Sequence, residues 1–332
     1  MNIDYPERIQ LAELPTPIQE LPRLSKEYGI KLFAKRDDMT GLELSGNKVR
    51  KLEFLLAEGL KQGADTVVTC GGIQSNHCRA TAAAAVRVGL QCHLVLRTEP
   101  PQPPYDGNLL LDHLFGAGIT YLPLPEFKKA QAEDFPEVLD ELKARGRNPF
   151  YFPVGGSVPT GCWGYVKAFE ETVKQLDEMG IKNARFISAI GSGGTHTGLY
   201  LGSLLMERPE FKITGFNVCD TADYFKTFNA SLLNETVERF DLDVPPVSAD
   251  EFEINGDYLG PGYAQPYPAL METIFKVART EALLLDPVYT GKAFHGLLNE
   301  ILKGSISKDE TIIFFHTGGL FGLFPQKDQF QF

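Results

Sequence analysis

The stretch ADTVVTCGGIQSNHCRATAAAAVRVGLQCHLVLR, residues 64–97, contains the pattern that decides the fold. Residues 66–70 form a β-branched run that ends at a pair of glycines. The alanine-rich segment 76–88 has the composition of a helix, with Gly89 as its stop. Residues 92–96 have the pattern of the next strand. This order of strand, turn, helix and strand is a βαβ unit, which predicts parallel strands joined by a right-handed crossover.

The same alternation continues outward along the chain. A second βαβ unit consists of a strand at 184–190, the glycine loop GSGGTHTG at 191–198, a helix at 199–206 and a strand at 211–218. We also expect one charged helix within 126–145 and a short apolar strand at 282–286. The pattern is typical of an α/β protein with open, twisted, parallel sheets that carry helices on both faces.

The composition excludes several classes of function. The chain has 332 residues, enough for two domains or one large α/β domain, and a net charge of −11. Nucleic acids and anionic membranes select basic surfaces, so this acidic balance argues against both as partners. No apolar run is long enough to span a bilayer, and the first residues lack the apolar core of a signal peptide.

Five cysteines are scattered through the chain without a C-x-x-C pair. Their odd number is typical of free thiols in a reducing compartment, so the sequence predicts a cytoplasmic protein. Cys70, His77 and Cys78 lie close together in sequence, but their spacing matches no common zinc pattern. We therefore expect no metal site.

The stretch LELSGNKVRKLEFLLAEGL, residues 42–60, predicts a helix that begins with three cations, Lys48, Arg50 and Lys51. Ser45 or Asn47 is a candidate N-cap. The helix dipole disfavours positive charge at this end, so the cluster calls for an explanation. Either it is a solvated basic face, or one lysine is kept as a neutral amine that can attack a carbonyl and form a Schiff base.

The loop GSGGTHTG has the features of an anion cradle. Its glycines let backbone N–H groups converge, Ser192 and Thr195 add hydroxyl groups, and a helix follows. The lysine of a triphosphate loop is absent, and His196 interrupts the glycine fingerprint of dinucleotide-binding proteins. A single phosphate suits the loop best, while Asp220 after the next strand keeps a nucleotide alternative open.

Further polar residues lie in or beside the other turns. Ser75 and Asn76 begin the predicted helix at 76–88, where they can cap it or bind a carboxylate. Tyr263 and Tyr289 lie in loops rich in proline and glycine, where a phenol can pack or transfer a proton. Thr317 ends the last strand, and its hydroxyl can contact a ring ligand.

Seven segments together resemble one enzyme family. They are KRDDMTGLELSGNKVRKLEFL, CGGIQSNHCR, PVGGS, GSGGTHTG, PGY, LLDPVYTGKA and HTGG. In order and spacing they resemble pyridoxal-phosphate enzymes of the tryptophan synthase β-like fold (fold type II). More narrowly, they resemble the family of 1-aminocyclopropane-1-carboxylate (ACC) deaminase and D-cysteine desulfhydrase. The resemblance implies a homodimer with a large cofactor-binding domain (1–50 and 160–332) and a small domain (51–159), with the cofactor in the cleft between them.

The resemblance also implies site residues. Lys48 is expected to hold pyridoxal 5'-phosphate as a Schiff base. The other expected cofactor contacts are Asn76 at the ring hydroxyl, Ser192, Gly193, Gly194 and Thr195 at the phosphate, and Thr317 at the pyridine nitrogen. The expected substrate contacts are Ser75, Asn76, His77, Tyr263 and Tyr289. Of these, Ser75 and the two tyrosines join Lys48 as the expected catalytic residues.

Two positions favour the desulfhydrase side of this family. Deaminases of the family carry Glu where this chain has Thr290, and Leu where it has Thr317. Ala264 is a departure, since glycine is usual after the first tyrosine. The expected reaction is the α,β-elimination of D-cysteine to pyruvate, ammonia and sulfide. The alternatives are elimination from L-cysteate or β-chloro-D-alanine, ACC deamination, a cofactor carrier without turnover, and a nucleotide-binding module without catalysis.

Overall fold

The computed structural model describes residues 3–99 and 103–331. The described chain forms two β-sheets with helices packed on them. The larger sheet contains β1 (Ile18–Glu20), β2 (Lys31–Lys35), β7 (Ala184–Ile190), β8 (Phe211–Asn217), β9 (Glu253–Asn255) and β10 (Thr311–Phe315). Its strand order is β1-β2-β10-β7-β8-β9, and every neighbouring pair is parallel except β1 with β2.

The smaller sheet is parallel throughout and has the order β5-β4-β3-β6. Its strands are β3 (Thr66–Gly72), β4 (Gln91–Arg97), β5 (Gly118–Leu122) and β6 (Pro149–Tyr151). All four lie between residues 51 and 159, and all strands of the larger sheet lie outside that range. The division of the chain into two domains at these boundaries stays a prediction.

Twelve helices are present in the described residues. They are α1 (Pro22–Tyr28), α2 (Lys48–Lys61), α3 (Asn76–Arg87), α4 (Gly107–Leu114), α5 (Leu124–Gln131), α6 (Pro136–Ala144), α7 (Pro159–Glu178), α8 (Gly194–Leu205), α9 (Ala222–Arg239), α10 (Pro268–Glu281), α11 (Thr290–Lys303) and α12 (Leu320–Leu323). Among the described residues, no helix combines the length and apolarity needed to cross a membrane.

The structure confirms both predicted βαβ units, β3-α3-β4 and β7-α8-β8. Their apolar residues are buried because parallel strands are covered by helices on both faces. The alanine-rich face of α3 packs with α2 and the smaller sheet in one core cluster, whereas α7 contributes to clusters on the larger sheet. Since α2 also packs against α7, it joins the two sheets.

Three local predictions are wrong or incomplete. The charged segment 126–145 is two helices, because Asp134 and Phe135 have positive φ and Pro136 starts a new helix. Residues 282–286 form no strand, since the Asp286 carboxylate accepts three backbone N–H groups of the following turn. Helices α1, α9 and α12 and strands β1 and β9 were not predicted. The proline-rich segment EPPQPPYDGN, residues 99–108, also predicts a loop, and it lies partly outside the described residues.

Candidate active site

A cavity of about 670 Å³ lies between the two sheets, at the carboxyl ends of their central strands. In open parallel sheets this edge is where ligands bind. Ten of the predicted site residues line the cavity: Lys48, Ser75, Asn76, His77, Ser192, Gly193, Thr195, Tyr263, Tyr289 and Thr317. Gly194 is the first residue of α8, next to this lining. Residues far apart in sequence are therefore brought together in one site.

Lys48 is the first residue of α2, and its Nζ donates a hydrogen bond to Oδ1 of Asn47 at 3.0 Å. Burial holds the pKa of Lys48 well below its usual range, and the nearby cations Lys51 and Arg79 lower it further, while Asp286 opposes them. The side chain still reaches the cavity. The neutral amine, which is the nucleophilic form, is therefore favoured at this position.

The interpretation of the helix start as a solvated basic face is wrong. Arg50 and Lys51 are each only 1% exposed. The guanidinium of Arg50 pairs with Asp37 at 2.8 Å and with Glu171 at 2.9 Å, so its charge is neutralised inside the protein. Of the three cations that begin α2, Arg50 is structural, Lys48 lines the cavity, and Lys51 lies beside Gly194 of the glycine loop.

Neither Ser45 nor Asn47 caps α2 with its side chain. The amide of Asn47 turns away from the helix, and its Nδ2 donates to Oγ1 of Thr195 at 2.9 Å. Asn47 is thus the N-cap residue of α2, as one of the two predictions had it, but its side chain connects α2 to the glycine loop on the larger sheet and does not cap the helix.

The glycine loop fits a phosphate group. It leads into the N-terminus of α8, where the first backbone N–H groups have no partners within the helix. Gly193 has a φ of +84°, and a Cβ there would lie 2.4 Å from Oδ1 of Asn229. A Cβ on Gly194 would lie 2.9 Å from Nζ of Lys51, so the ammonium group reaches the loop itself. Glycine backbone, helix N-terminus and cation together suit a dianion.

Lys51 is a further candidate site residue that the sequence analysis did not assign. Its Nζ donates to the carbonyl of Gly155 at 3.0 Å, and burial lowers its pKa to about 8. Its spacing from Lys48 was the available signal, because residues i and i+3 lie on the same helix face. Sequence alone could not show that this face is buried against the glycine loop.

Ser75 is the N-cap of α3, as expected, and its Oγ accepts a hydrogen bond from the backbone N–H of Cys78 at 3.2 Å. Because the oxygen accepts this bond, the hydroxyl proton remains available to a ligand in the cavity. Asn76 follows at the first helical position, and its Oδ1 accepts a hydrogen bond from Nδ2 of Asn108 at 3.0 Å. The start of α3 therefore also lines the cavity.

His77 lines the cavity as a neutral imidazole. Burial holds its pKa well below the usual range, and the neighbouring Lys48 and Lys51 lower it further. The hydroxyl of Thr69 donates to the carbonyl of Phe152 and lies 2.8 Å from Nε2 of His77, so Nε2 carries the proton. Nδ1 is then a bare acceptor, and it has no hydrogen-bond partner among the described residues.

The hydroxyl groups of Tyr263 and Tyr289 are hydrogen-bonded to each other, and their rings meet edge to face at 5.9 Å. Burial raises the pKa of both phenols, so both are protonated at neutral pH. The guanidinium of Arg97 lies 5.2 Å from the ring centre of Tyr263. This stacking holds Tyr263 at the cavity although its loop is largely exposed.

Thr290 and Thr317, the two residues that favour the desulfhydrase side of the family, lie in different surroundings. Thr317 lines the cavity, and its carbonyl accepts a hydrogen bond from the N–H of Asn47 at 3.2 Å. Thr290 is fully buried, and its hydroxyl donates to Oδ1 of Asp286 at 2.7 Å. Thr317 is therefore in position to contact a ligand, whereas Thr290 acts on the turn that carries Tyr289.

The described residues contain no group of three or more His, Cys, Asp or Glu side chains that could hold a metal ion. All five cysteines are free thiols. Burial raises the pKa of Cys70 to about 12 and that of Cys78 well above its usual range, so both thiols stay protonated. The residues present fit an organic ligand that carries a phosphate group and an aldehyde, since Lys48 can react with the aldehyde.

Comparisons with known proteins agree with this chemistry. The family described as "Pyridoxal-phosphate dependent enzyme" matches residues 9–318. The mitochondrial bifunctional D-cysteine desulfhydrase/1-aminocyclopropane-1-carboxylate deaminase of Arabidopsis thaliana is 44% identical over 327 residues, which cover 96% of this chain and 80% of that protein. The D-cysteine desulfhydrase of Salmonella typhi is 38% identical over 321 residues, covering 96% and 95% of the two chains.

A solved structure supports the fold directly. The crystal structure of an ACC deaminase homologue superposes with a TM-score of 0.86 at 36% identity, covering 98% of this chain and 95% of that chain. The two sheets and the cavity between them therefore have the fold type II architecture that the sequence motifs predicted.

Proposed function

Because this chain belongs to the family of pyridoxal-phosphate dependent enzymes, we propose that it is a lyase acting on D-cysteine. In this α,β-elimination the Cα–H and Cβ–S bonds break and sulfide leaves. One water molecule then hydrolyses the remaining fragment to pyruvate and ammonia. Support for the substrate comes from the relatives named D-cysteine desulfhydrase, which are 44% and 38% identical to this chain.

The observation that carries the proposal is that Lys48, whose pKa burial lowers, lines the same cavity as the glycine loop. When bound, pyridoxal phosphate withdraws electrons from the α-carbon of an amino acid and makes its proton acidic. Lys48 would hold the cofactor covalently through Nζ. Because burial lowers the pKa of this amine, the same nitrogen would also be a suitable base for the α-proton.

The lining of the cavity supports one set of cofactor contacts. Residues 192–195 and Lys51 would hold the phosphate. Asn76 would contact the ring oxygen and Thr317 the pyridine nitrogen, since both line the cavity. A hydroxyl stabilises a protonated ring nitrogen less than a carboxylate does. Such a site favours reactions in which a β leaving group departs as soon as the α-proton is removed.

The same cavity also offers groups for the substrate. Ser75 and the N-terminus of α3 bind the α-carboxylate, because helix N-termini attract anions. Nδ1 of His77 offers an acceptor to a substrate N–H group. Tyr263 and Tyr289 share one hydrogen bond, so one phenol proton remains for the departing sulfur. Their raised pKa values ensure that this proton is present at neutral pH.

ACC deamination is the second candidate, because the Arabidopsis relative carries both activities in its name. Thr317 at the ring position disfavours it. Elimination from L-cysteate, with loss of sulfite, is the third. Each reaction has its own product, since D-cysteine releases sulfide, L-cysteate releases sulfite, and ACC releases ammonia without a sulfur anion.

The test is a substrate panel with the purified, cofactor-loaded protein. D-cysteine, L-cysteine, L-cysteate and ACC are compared by sulfide, sulfite and ammonia release under the same conditions. We expect D-cysteine to give the highest kcat/KM, with equal amounts of sulfide and ammonia. A protein that turns over ACC or L-cysteate faster than D-cysteine would overturn the substrate assignment and leave the family unaffected.

Assembly and location are also part of this proposal. The resemblance to fold type II enzymes supports a homodimer, which sedimentation equilibrium would test by the mass in solution. Five free cysteines support a reducing compartment such as the cytoplasm. Localisation of the protein in fractionated cells of its source would test this placement.

A further inference from the structure

Asn108 on α4 is a polar side chain with no solvent exposure, placed directly behind the cavity wall. Its Nδ2 donates to two acceptors at 3.0 Å each, the backbone carbonyl of Gln74 and Oδ1 of Asn76. Its backbone N–H is bound as well, by Oε1 of Gln74 at 3.0 Å. A buried amide with this many partners is held in one orientation.

The hydrogen-bond partners also identify the oxygen and the nitrogen atom of each of the two side-chain amides, Asn108 and Asn76. A backbone carbonyl only accepts hydrogen bonds, so the Asn108 atom at Gln74 must be nitrogen. Nε of Arg79, which only donates, lies 3.3 Å from the other end, so that atom must be oxygen. The atom that Asn76 offers to Asn108 is therefore its oxygen, and the Asn76 NH₂ group is directed to the cavity. Among the described residues this NH₂ group has no partner.

We propose that Asn108 is a positioning residue that holds the amide of Asn76 with its NH₂ group toward the cofactor ring. This inference rests on the proposed function, in which Asn76 donates a hydrogen bond to the ring oxygen of pyridoxal phosphate. An Asn76 amide free to rotate would spend part of its time with its oxygen against that anionic oxygen. Asn108 prevents this, because a rotated amide would set two NH₂ groups against each other.

The same network reaches the segment before Lys48. The guanidinium of Arg79 donates to the carbonyls of Glu43 and Ser45, the latter at 2.9 Å, as well as to Asn108. The residue is 1% exposed, so these bonds satisfy most of its donors inside the protein. Asn108 and Arg79 therefore connect α4 both to Asn76 and to the loop that leads into Lys48.

A double-mutant cycle tests the proposal, using Asn108→Ala, Asn76→Ala and the double variant. The readouts are the dissociation constant of pyridoxal phosphate and the pH midpoint of the visible absorption of the bound cofactor. In the parent protein we expect Asn108→Ala to weaken cofactor binding about tenfold and to raise that midpoint by about one pH unit, because the anionic ring oxygen loses a donor. In the Asn76→Ala background, Asn108→Ala is expected to change neither the dissociation constant nor the pH midpoint.

Asn234→Ala is the matched control. Asn234 on α9 also binds the backbone through both ends of its amide, at 2.9 Å to the carbonyl and N–H of Val247, but it lies outside the cavity lining. We expect this variant to lose stability in urea without a change in the absorption midpoint. If Asn108→Ala does not fold, Asn108→Ser replaces it, because a serine hydroxyl is too short to reach Asn76.

The proposal is overturned if the effect of Asn108→Ala persists at full size in the Asn76→Ala background. It is also overturned if the midpoint moves no more than in Asn234→Ala. Failure of the proposed function gives a different result, because the parent protein would then bind the cofactor but release no sulfide from D-cysteine. The cycle remains interpretable in that case, since neither of its readouts is turnover.

Discussion

The side-chain amide of Asn47 donates a hydrogen bond to the hydroxyl of Thr195 across 2.9 Å, and its oxygen accepts one from Nζ of Lys48 at 3.0 Å. One residue thus joins the start of α2 to the glycine loop before α8. The amine proposed to bind the cofactor and the loop proposed to bind its phosphate are thereby connected, as a ligand of fixed length requires.

Replacing Asn47 tests this connection. In Asn47→Ala both hydrogen bonds are lost, and we expect the dissociation constant of pyridoxal phosphate to rise about tenfold. Equilibrium dialysis of the unloaded protein measures it. Asn299→Ala is the control, because the Asn299 amide donates a hydrogen bond to the backbone carbonyl of His295 on its own helix, α11. Equal cofactor affinity in both variants would contradict the role of Asn47.

Lys48→Ala removes the amine on which the proposed chemistry depends. We expect sulfide release from D-cysteine to fall by at least about 10³-fold, since both covalent attachment and proton acceptance are lost. Borohydride treatment followed by mass spectrometry should fix the cofactor to Lys48 in the parent and to no residue in the variant. Lys61→Ala, at the exposed end of the same helix, should retain full activity. Retained turnover in Lys48→Ala would exclude the assignment.

Lys51→Met keeps the volume of the side chain and removes its charge. The ammonium group faces the phosphate loop, so we expect binding of pyridoxal phosphate to weaken about 10- to 100-fold, as for a lost charge-assisted hydrogen bond. Pyridoxal, which lacks the phosphate, is the matched ligand control and should bind both proteins equally. A parallel loss for both ligands would show that Lys51 does not contact the phosphate.

Tyr289→Phe tests protonation of the leaving group. The phenol is protonated at neutral pH because burial raises its pKa, and we expect kcat for D-cysteine to fall about 10²-fold without it. β-Chloro-D-alanine is the matched substrate, since chloride leaves without a proton. Its turnover should fall much less. Equal losses for the two substrates would indicate that the tyrosine only orients the amino acid.

His196 is expected to make the protein sensitive to acid. The side chain is 1% exposed, and burial lowers its pKa to about 3, whereas a histidine in an unfolded chain titrates near about 6.5. Between these values only the unfolded state binds the proton. The free energy of unfolding therefore falls as the pH drops from about 6.5 toward 3, by at most about 1.4 kcal/mol per pH unit.

His196→Gln removes this proton uptake. Urea unfolding midpoints should then fall less between about pH 7 and pH 4.5 in the variant than in the parent. His113→Gln, at an exposed position, should follow the parent curve. Parallel curves for parent and His196→Gln would mean that other groups cause the loss of stability in acid.

Much of the fold could be predicted because its signals are local. The run of β-branched residues in β3, the alanines of α3 and the stop at Gly89 each lie within a few residues of the structure they specify. Prediction was wrong at 282–286 for an equally physical reason. Leu283 and Leu285 are buried, as in a strand, but the carboxylate of Asp286 binds the next turn, and no neighbouring strand pairs with the segment.

The sequence by itself determined most of the order of helices and strands, the glycine turns at the strand ends and the motifs that matched an enzyme family. The tertiary structure alone decided which groups face one another. It buried Arg50 in an ion pair, aimed Lys51 at the glycine loop and placed Asn108 behind Asn76. Periodicity reports only neighbours along a helix or strand, whereas these contacts depend on how α2, α4 and α8 pack between two separate sheets.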